Sequence, residues 1–220
     1  MNKSAGIAIL IVLFTFGQPF FCTAQVVNHE VEPQGIFKTI DVARHNKAIS
    51  TLKDGNEQEK QQTVNTILKD PNYYNPPVIY ALSRELFNEG KKDEAAYWFY
   101  VAQLRARYDA NLCMDNSAKQ GVSVLNSEYG PAINTYAMQD IDKLENIVKK
   151  VVEFVKTNTE NYDHRWINLH GMWAMMSGLD EKNQENKELS QPKAKWPEIK
   201  KKTIDDYYNG FVEAMKSQKK

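Results

Sequence analysis

Apolar residues recur at intervals of three and four through most of the chain, and this spacing limits the fold more than any other feature. Such spacing places apolar side chains on one face of an α-helix, and alternating β-branched runs typical of strands are missing. The pattern is clearest in residues 77–110, which predict two short amphipathic helices joined by a tight turn at Gly90. Pro77 suits the first turn of a helix, because a proline there loses no hydrogen bond. The sequence therefore predicts an all-α fold of about eight helices.

The other helices are predicted from the same spacing and from their end signals. They cover residues 42–53, 57–69, 115–127, 131–138, 140–156 and 163–177, and a last helix follows Trp196. Residues 140–156 are the most clearly amphipathic, and Asp140 is placed to cap them. The helix that begins near Asp93 is apolar on most of its circumference, so we expect it to be buried between neighbours.

The first 24 residues have the three-part pattern of a secretory signal peptide. Lys3 supplies a positive charge, residues 5–16 form an apolar run of twelve, and Cys22 and Ala24 are small residues at the −3 and −1 positions of a cleavage site. A membrane span needs about 20 apolar residues, and Gln18 interrupts this run before that length. We expect cleavage after Ala24 and a periplasmic mature protein without a membrane span; a retained membrane anchor is the alternative.

Composition divides the rest of the chain into four parts. Residues 25–40 are predicted to be a flexible leader, residues 41–179 a helical repeat-like domain, residues 180–195 a polar connector, and residues 196–220 a C-terminal helix that packs on the domain. The connector contains one apolar side chain of any size, so we expect it to be solvated and flexible.

Charge and cysteine content argue against two further classes. The full chain has 28 basic and 28 acidic residues, and removal of residues 1–24 takes away one lysine and no acid, which leaves a net charge of −1. This balance argues against binding to nucleic acid, which requires a basic surface. Cys113 would be the one cysteine left, so no disulfide is expected. Its neighbours Leu112 and Met114 favour a buried, inert thiol; a catalytic cysteine is the alternative.

Residues 82–102 resemble a tetratricopeptide or Sel1-like repeat. Ser83 stands at the small position of helix A, Gly90 in the turn, and Ala95, Phe99 and Ala102 at the helix-B positions. The resemblance implies a helical-hairpin bundle or short solenoid, because one repeat cannot bury its own faces. The resemblance also indicates a degenerate repeat upstream, since Gly55 precedes Gly90 by 35 residues, near the ~34-residue period of such repeats.

Aromatic and arginine residues are concentrated around this repeat, and two interpretations are open. One is core packing, with arginine stems laid over rings; the other is a recognition surface, because such residues dominate interface hot spots. In tetratricopeptide repeats a groove is lined by helix A at positions one turn apart. The resemblance therefore implies a partner-binding line at Tyr80, Arg84 and Asn88, and the recognition-surface interpretation adds Trp98 and Arg105 to the predicted partner-binding residues.

No motif in the sequence indicates a catalytic residue, a cofactor or a metal. Nucleophile-elbow, P-loop, dinucleotide-binding and HExxH patterns are all missing. His164 and His170 are six residues apart, which on an α-helix leaves them about 120° apart, whereas zinc-binding pairs usually stand at i and i+4. The preferred hypothesis is thus a secreted, non-enzymatic protein-binding module, in one version an immunity protein that neutralises a periplasm-acting toxin. The alternative is a small periplasmic hydrolase or ligand carrier with a pocket near Asp163, His164 and His170.

Overall fold

The computed structural model describes residues 32–179 and 187–218, which belong to one compact unit, Val31–Lys220. These residues form eight α-helices and no β-strand, apart from one isolated bridge that pairs Cys113 with Ser190. The helices are α1 (Ala43–Asp54), α2 (Glu57–Lys69), α3 (Pro76–Asn88), α4 (Lys92–Leu112), α5 (Gln120–Ala137), α6 (Ile141–Thr157), α7 (Met172–Leu179) and α8 (Trp196–Gln218). The predicted all-α class is confirmed. Within the described ranges, no helix has the length and apolar character needed to cross a bilayer.

Helices α3 and α4 form the central hairpin, and they share the largest helix–helix contact of the described chain. Gly90 ends α3 with a φ of 81°, a conformation that is easiest for glycine. Its N–H donates to the carbonyl of Phe87 at 3.1 Å, and the N–H of Lys91 donates to the carbonyl of Leu86 at 2.9 Å. These two bonds form a Schellman motif, so the predicted turn at Gly90 is confirmed.

Helix α4 is the buried axis of the fold, as predicted. It packs against α3, α5, α6 and α8. Ala95, Phe99 and Ala102 are fully buried, so small residues let neighbouring helices approach while the aromatic ring fills the space beside them. Helix α6 packs on α4 through its predicted apolar stripe, and the Asp140 side chain caps it by accepting a hydrogen bond from the N–H of Lys143 at 2.9 Å.

Two predicted helix boundaries were wrong. Residues 115–127 and 131–138 were expected to be separate helices, but α5 continues through Pro131. Gly130 lies there against the Phe99 ring, and an added Cβ would be 3.1 Å from the ring carbon Cζ. Residues 163–177 were expected to form one helix, but a 3-10 helix (His164–His170) precedes α7. The break falls at Gly171, where a larger residue would overlap with the Asp115 carboxylate.

Two segments that were predicted to be flexible contain buried apolar side chains. In the leader, Phe37 and Ile40 are buried, and Phe37 lies in a short 3-10 helix (Gly35–Thr39). In the connector, Leu189 is buried. Residues 25–31 and 180–186, like the predicted signal peptide 1–24, lie outside the described residues. Helix α8 packs on α4 and α6, as predicted for the C-terminal helix.

Candidate functional site

Three of the five predicted partner-binding residues are core residues. Tyr80 is fully buried, its hydroxyl donates to Asn126 Oδ1 at 2.8 Å, and its ring packs edge-on to Phe99. Trp98 and Arg105 are also buried. Their burial disfavours a recognition-surface role for these three residues, because little of each side chain is open to a partner.

The other two residues lie nearer the surface, and both line a small pocket of about 220 Å³ on this side of α3. Arg84 is partly exposed, and its guanidinium lies 4.0 Å from the centre of the Tyr129 ring and 3.6 Å from the Glu128 carboxylate. Both partners are on α5, so α5 covers the line along α3 that the repeat analogy left open. Asn88 is exposed at the end of α3.

A buried carboxylate, Asp109, organises a polar cluster on the other side of α4. Asp109 is fully buried and accepts hydrogen bonds from three side chains of the segment that follows α6. The donors are the Tyr162 hydroxyl at 3.0 Å, the His164 Nδ1 at 2.6 Å and the Trp166 indole Nε1 at 2.6 Å. Since a buried carboxylate is costly without such partners, this cluster fixes residues 162–166 against α4.

The protonation of His164 is set by Asp109. Burial alone would lower the pKa of His164, but the Asp109 carboxylate outweighs it, with Glu160 adding to the effect, so the pKa is raised. Burial raises the pKa of Asp109, and the charge of His164 and its hydrogen bond oppose that rise. With Nδ1 bonded to Asp109, His164 has Nε2 left for another contact.

A second buried ion cluster lies beside the first. Glu160 is 4% exposed at its side chain and receives a hydrogen bond from the Lys200 ammonium at 2.8 Å. Its other oxygen is 3.8 Å from the Nε of fully buried Arg105, and neither of these two atoms has a hydrogen-bond partner within the described part of the chain. Arg105 also donates to the Pro71 carbonyl and to the Asn72 side chain. Arg105 thus connects α4 to the loop before α3 and to the segment after α6.

A cavity of about 740 Å³ opens next to these clusters. Part of its lining comes from residue 160 and residues 162–165, another part from residues 188–193, and Ile36 and Trp196 complete it. The predicted pocket residues Asp163 and His164 do line it, whereas His170 does not and packs instead edge-on to Trp166. The volume falls in the range of about 300–1,000 Å³ that is usual for ligand sites.

Three aromatic rings surround the His164 side chain, which lines this cavity. Its ring lies 4.9 Å from the Tyr162 ring, 5.4 Å from Tyr108 and 5.2 Å from Trp196, measured between ring centres. Trp196 is held by a hydrogen bond from its indole Nε1 to the Gln191 carbonyl at 2.7 Å. The aromatic lining of the cavity is therefore held at His164 by the bond to Asp109 and at Trp196 by the bond to Gln191.

Residues 188–193 line the cavity, and part of this stretch pairs with the C-terminal end of α4 and the residues after it. The N–H of Met114 donates to the Leu189 carbonyl at 3.1 Å, and the N–H of Gln191 donates to the Leu112 carbonyl at 2.7 Å. These bonds flank the antiparallel bridge between Cys113 and Ser190. Because successive residues of an extended chain point their backbone groups in opposite directions, the N–H and C=O of Ser190 face away from Cys113. They form no hydrogen bond with any described residue.

Charged groups at the cavity are largely paired with each other. The Arg165 guanidinium binds Asp163 through two nitrogens, at 2.9 and 2.6 Å. Burial would raise the pKa of Asp163, but Arg165 outweighs it, so the pKa is lowered and the carboxylate stays ionised. Lys193 lies 6.0 Å from the Trp196 ring centre.

The thiol of Cys113 is buried, as the sequence predicted. It donates to Asn168 Oδ1 at 3.1 Å, and burial raises its pKa to about 11. A thiol with such a pKa is almost fully protonated at neutral pH, which disfavours the catalytic alternative. In the described ranges, no group of three or more His, Cys, Asp or Glu side chains is arranged to hold a metal ion.

Sequence reasoning missed the residues that build this site. Asp109, Glu160 and Trp196 were not singled out, although Asp109 is an acidic residue in a helix that was predicted to be buried, and that position was a usable signal. Comparisons of the chain with known protein families, with curated proteins and with solved structures gave no match.

Proposed function

We propose that this chain is a non-enzymatic binding module that captures an extended segment of a partner protein in the cavity beside His164. The observation that supports this proposal most directly is that Ser190 lines the cavity while its backbone N–H and C=O bond to no described residue. An extended peptide adds to such an edge through main-chain hydrogen bonds, while pockets for alternate side chains give specificity. The aromatic surround of His164 and Trp196 offers such a pocket.

The scaffold proposed for this site is a short Sel1-like arrangement. Helices α3 and α4 would be the clear repeat, and α1 and α2, which pack on α3, would be the degenerate one. Residues 1–24 would direct the chain to the periplasm. The specific version that we propose is an immunity-type role in that compartment, in which the cavity binds a segment of a toxin.

The proposal is tested by photo-crosslinking followed by a matched pair of substitutions. A photoreactive amino acid at position 190 should capture a partner from an envelope extract, whereas the same group at Glu57, an exposed position on α2, should not. Binding of that purified partner is then measured for Ser190→Pro and Ser190→Ala. Proline removes the free N–H and leaves the bonds of Leu189 and Gln191 in place.

We expect Ser190→Pro to weaken binding about 3- to 10-fold relative to Ser190→Ala, since a hydrogen bond contributes about 0.5–1.5 kcal/mol. Equal binding by the two variants, with both folded by circular dichroism, would rule out strand addition at Ser190. Capture at position 57 but not at position 190 would place the interface elsewhere.

A second candidate, hydrolysis with His164 as general base, is favoured by the Asp109–His164 hydrogen bond at 2.6 Å. A carboxylate on Nδ1 orients an imidazole so that Nε2 can accept a proton from a nucleophile. No described serine or cysteine is hydrogen-bonded to His164, so water would be the nucleophile. Ester, peptide and phosphodiester substrates should then be cleaved by the parent and not by His164→Gln. Equal rates for the two would exclude this candidate.

A further inference from the structure

The outward face of α7 carries three methionines that the proposed binding site does not use. Met172, Met175 and Met176 are 49%, 43% and 50% exposed. They are three of the seven methionines in the chain, and they fall within five consecutive residues. Half-exposed apolar side chains that cluster in this way usually mark a functional surface.

The spacing of these residues brings their side chains together. At 100° per residue, Met175 and Met176 lie about 60° to one side and about 40° to the other side of Met172 around the helix axis. Side chains three or four positions apart have Cβ atoms about 5–6 Å apart. Each methionine has three rotatable side-chain bonds, so the three sulfur atoms can converge on one point without a backbone change.

Helix α7 is a fixed platform for these sulfur atoms. Its first turn is anchored because the N–H of Met172 donates to Ser117 Oγ at 2.8 Å and the N–H of Trp173 donates to Asp115 Oδ2 at 2.9 Å. Its inner face is buried at Ala174 and Ser177. The methionine side chains are therefore the exposed part of α7, while the backbone that carries them is held.

We propose that Met172, Met175 and Met176 bind a Cu(I) ion through their thioether sulfurs. Thioethers are soft, neutral ligands that select soft monovalent ions over the harder Mg²⁺, Ca²⁺ or Mn²⁺. A thioether also has no proton to release, so its affinity for metal should not depend on pH, unlike that of a thiolate or an imidazole. These two properties separate the proposed site from sites built on Cys113 or on the histidines.

The test is an anaerobic titration of the full chain with Cu(I), in competition with the chromogenic chelator bicinchoninate. All proteins carry Cys22→Ser and Cys113→Ser, so that neither thiol can contribute. The triple variant Met172→Leu, Met175→Leu, Met176→Leu keeps the apolar surface and removes only the sulfur atoms. The matched control is Met114→Leu with Met138→Leu, since these methionines are 38% and 42% exposed but lie elsewhere.

We expect one Cu(I) per chain, an affinity at least about 10-fold weaker in the triple variant, and no change in the control. Affinity of the parent should stay within about 2-fold between pH 5.5 and 7.5. Three results would overturn the proposal: no binding by the parent, equal binding by the triple variant, or a loss of affinity at low pH. Circular dichroism of each variant shows that the comparison is between folded proteins.

Discussion

The α3–α4 hairpin and the surroundings of His164 are both rich in aromatic and charged side chains, but they use them differently. In the hairpin, Tyr80 is fully buried and Arg84 is laid over a ring of α5, so these groups hold helices together. Around His164 the rings line a cavity that Ser190 also lines, and the backbone of Ser190 bonds to no described residue. Aromatic content alone therefore does not locate a binding surface. What decides is whether a neighbouring element covers the rings.

The largest effect on stability is expected at Tyr80 in the α3–α4 hairpin. Tyr80→Ala removes a ring packed against Phe99 and should lower the free energy of unfolding by about 3–5 kcal/mol, as for other large-to-small core changes. Urea denaturation measures this loss, and Asn88→Ala, at an exposed position on the same helix, is the control. A Tyr80→Ala protein as stable as the parent would mean that the hairpin face is open after all.

Asp109→Asn should have the next largest effect, because it keeps the volume and replaces one acceptor oxygen by a donor. At least one of the three donors from Tyr162, His164 and Trp166 then loses its partner, at a cost of about 1–3 kcal/mol. The loss is measured by urea denaturation against Asp205→Asn on α8, whose carboxylate is 53% exposed. Equal stability of the two variants would show that the cluster does not hold residues 162–166.

The pH dependence of stability tests the raised pKa of His164. Its pKa is raised in the folded protein, so its contribution is fully present below the unfolded value of about 6.5 and is lost as pH rises through the folded value. The stability difference between the parent and His164→Gln should therefore shrink with rising pH in that window. Using the difference removes the opposite contribution of His45, whose pKa is lowered by burial. A difference that grows with pH would contradict the assignment.

Arg84→Ala should have the smallest effect. The Arg84 and Glu128 side chains are 40% and 51% exposed, and exposed ion pairs contribute about 0–1 kcal/mol. The contact with Tyr129 adds about 0.5–1 kcal/mol. Thermal unfolding should thus show a shift well below that of Tyr80→Ala. A loss as large as that of Tyr80→Ala would mean that Arg84 supports the core in a way that its exposure does not indicate.

Much of the fold could be predicted from local signals. The turn at Gly90, the cap at Asp140 and the buried character of α4 each depend on residues within one or two helical turns. The continuity of α5 could not, because it depends on how Gly130 fits against Phe99 of a different helix. Nor could the break at Gly171, which is set by the distant carboxylate of Asp115.

The candidate site was predicted only in part, for the same physical reason. Asp163 and His164 were singled out because histidines and acids are few and visible in that segment, and the cavity does lie there. Their interaction partners come from distant parts of the chain. Asp109 is on α4, and the Leu189–Gln191 stretch belongs to a segment that composition alone described as solvent-exposed. No local pattern records such pairings.

The extended segment at Leu189 also bears on the order in which the molecule assembles. The α3–α4 hairpin joins residues that are close in sequence, so its closure costs little chain entropy. The cavity requires Leu112 to meet Gln191, Asp109 to meet His164, and Gln34 to meet Ser177 across 143 positions. Contacts of that range form late and open first. A partner segment that binds at Ser190 would therefore bind only the fully folded chain, because a partly folded chain has a core but lacks the cavity.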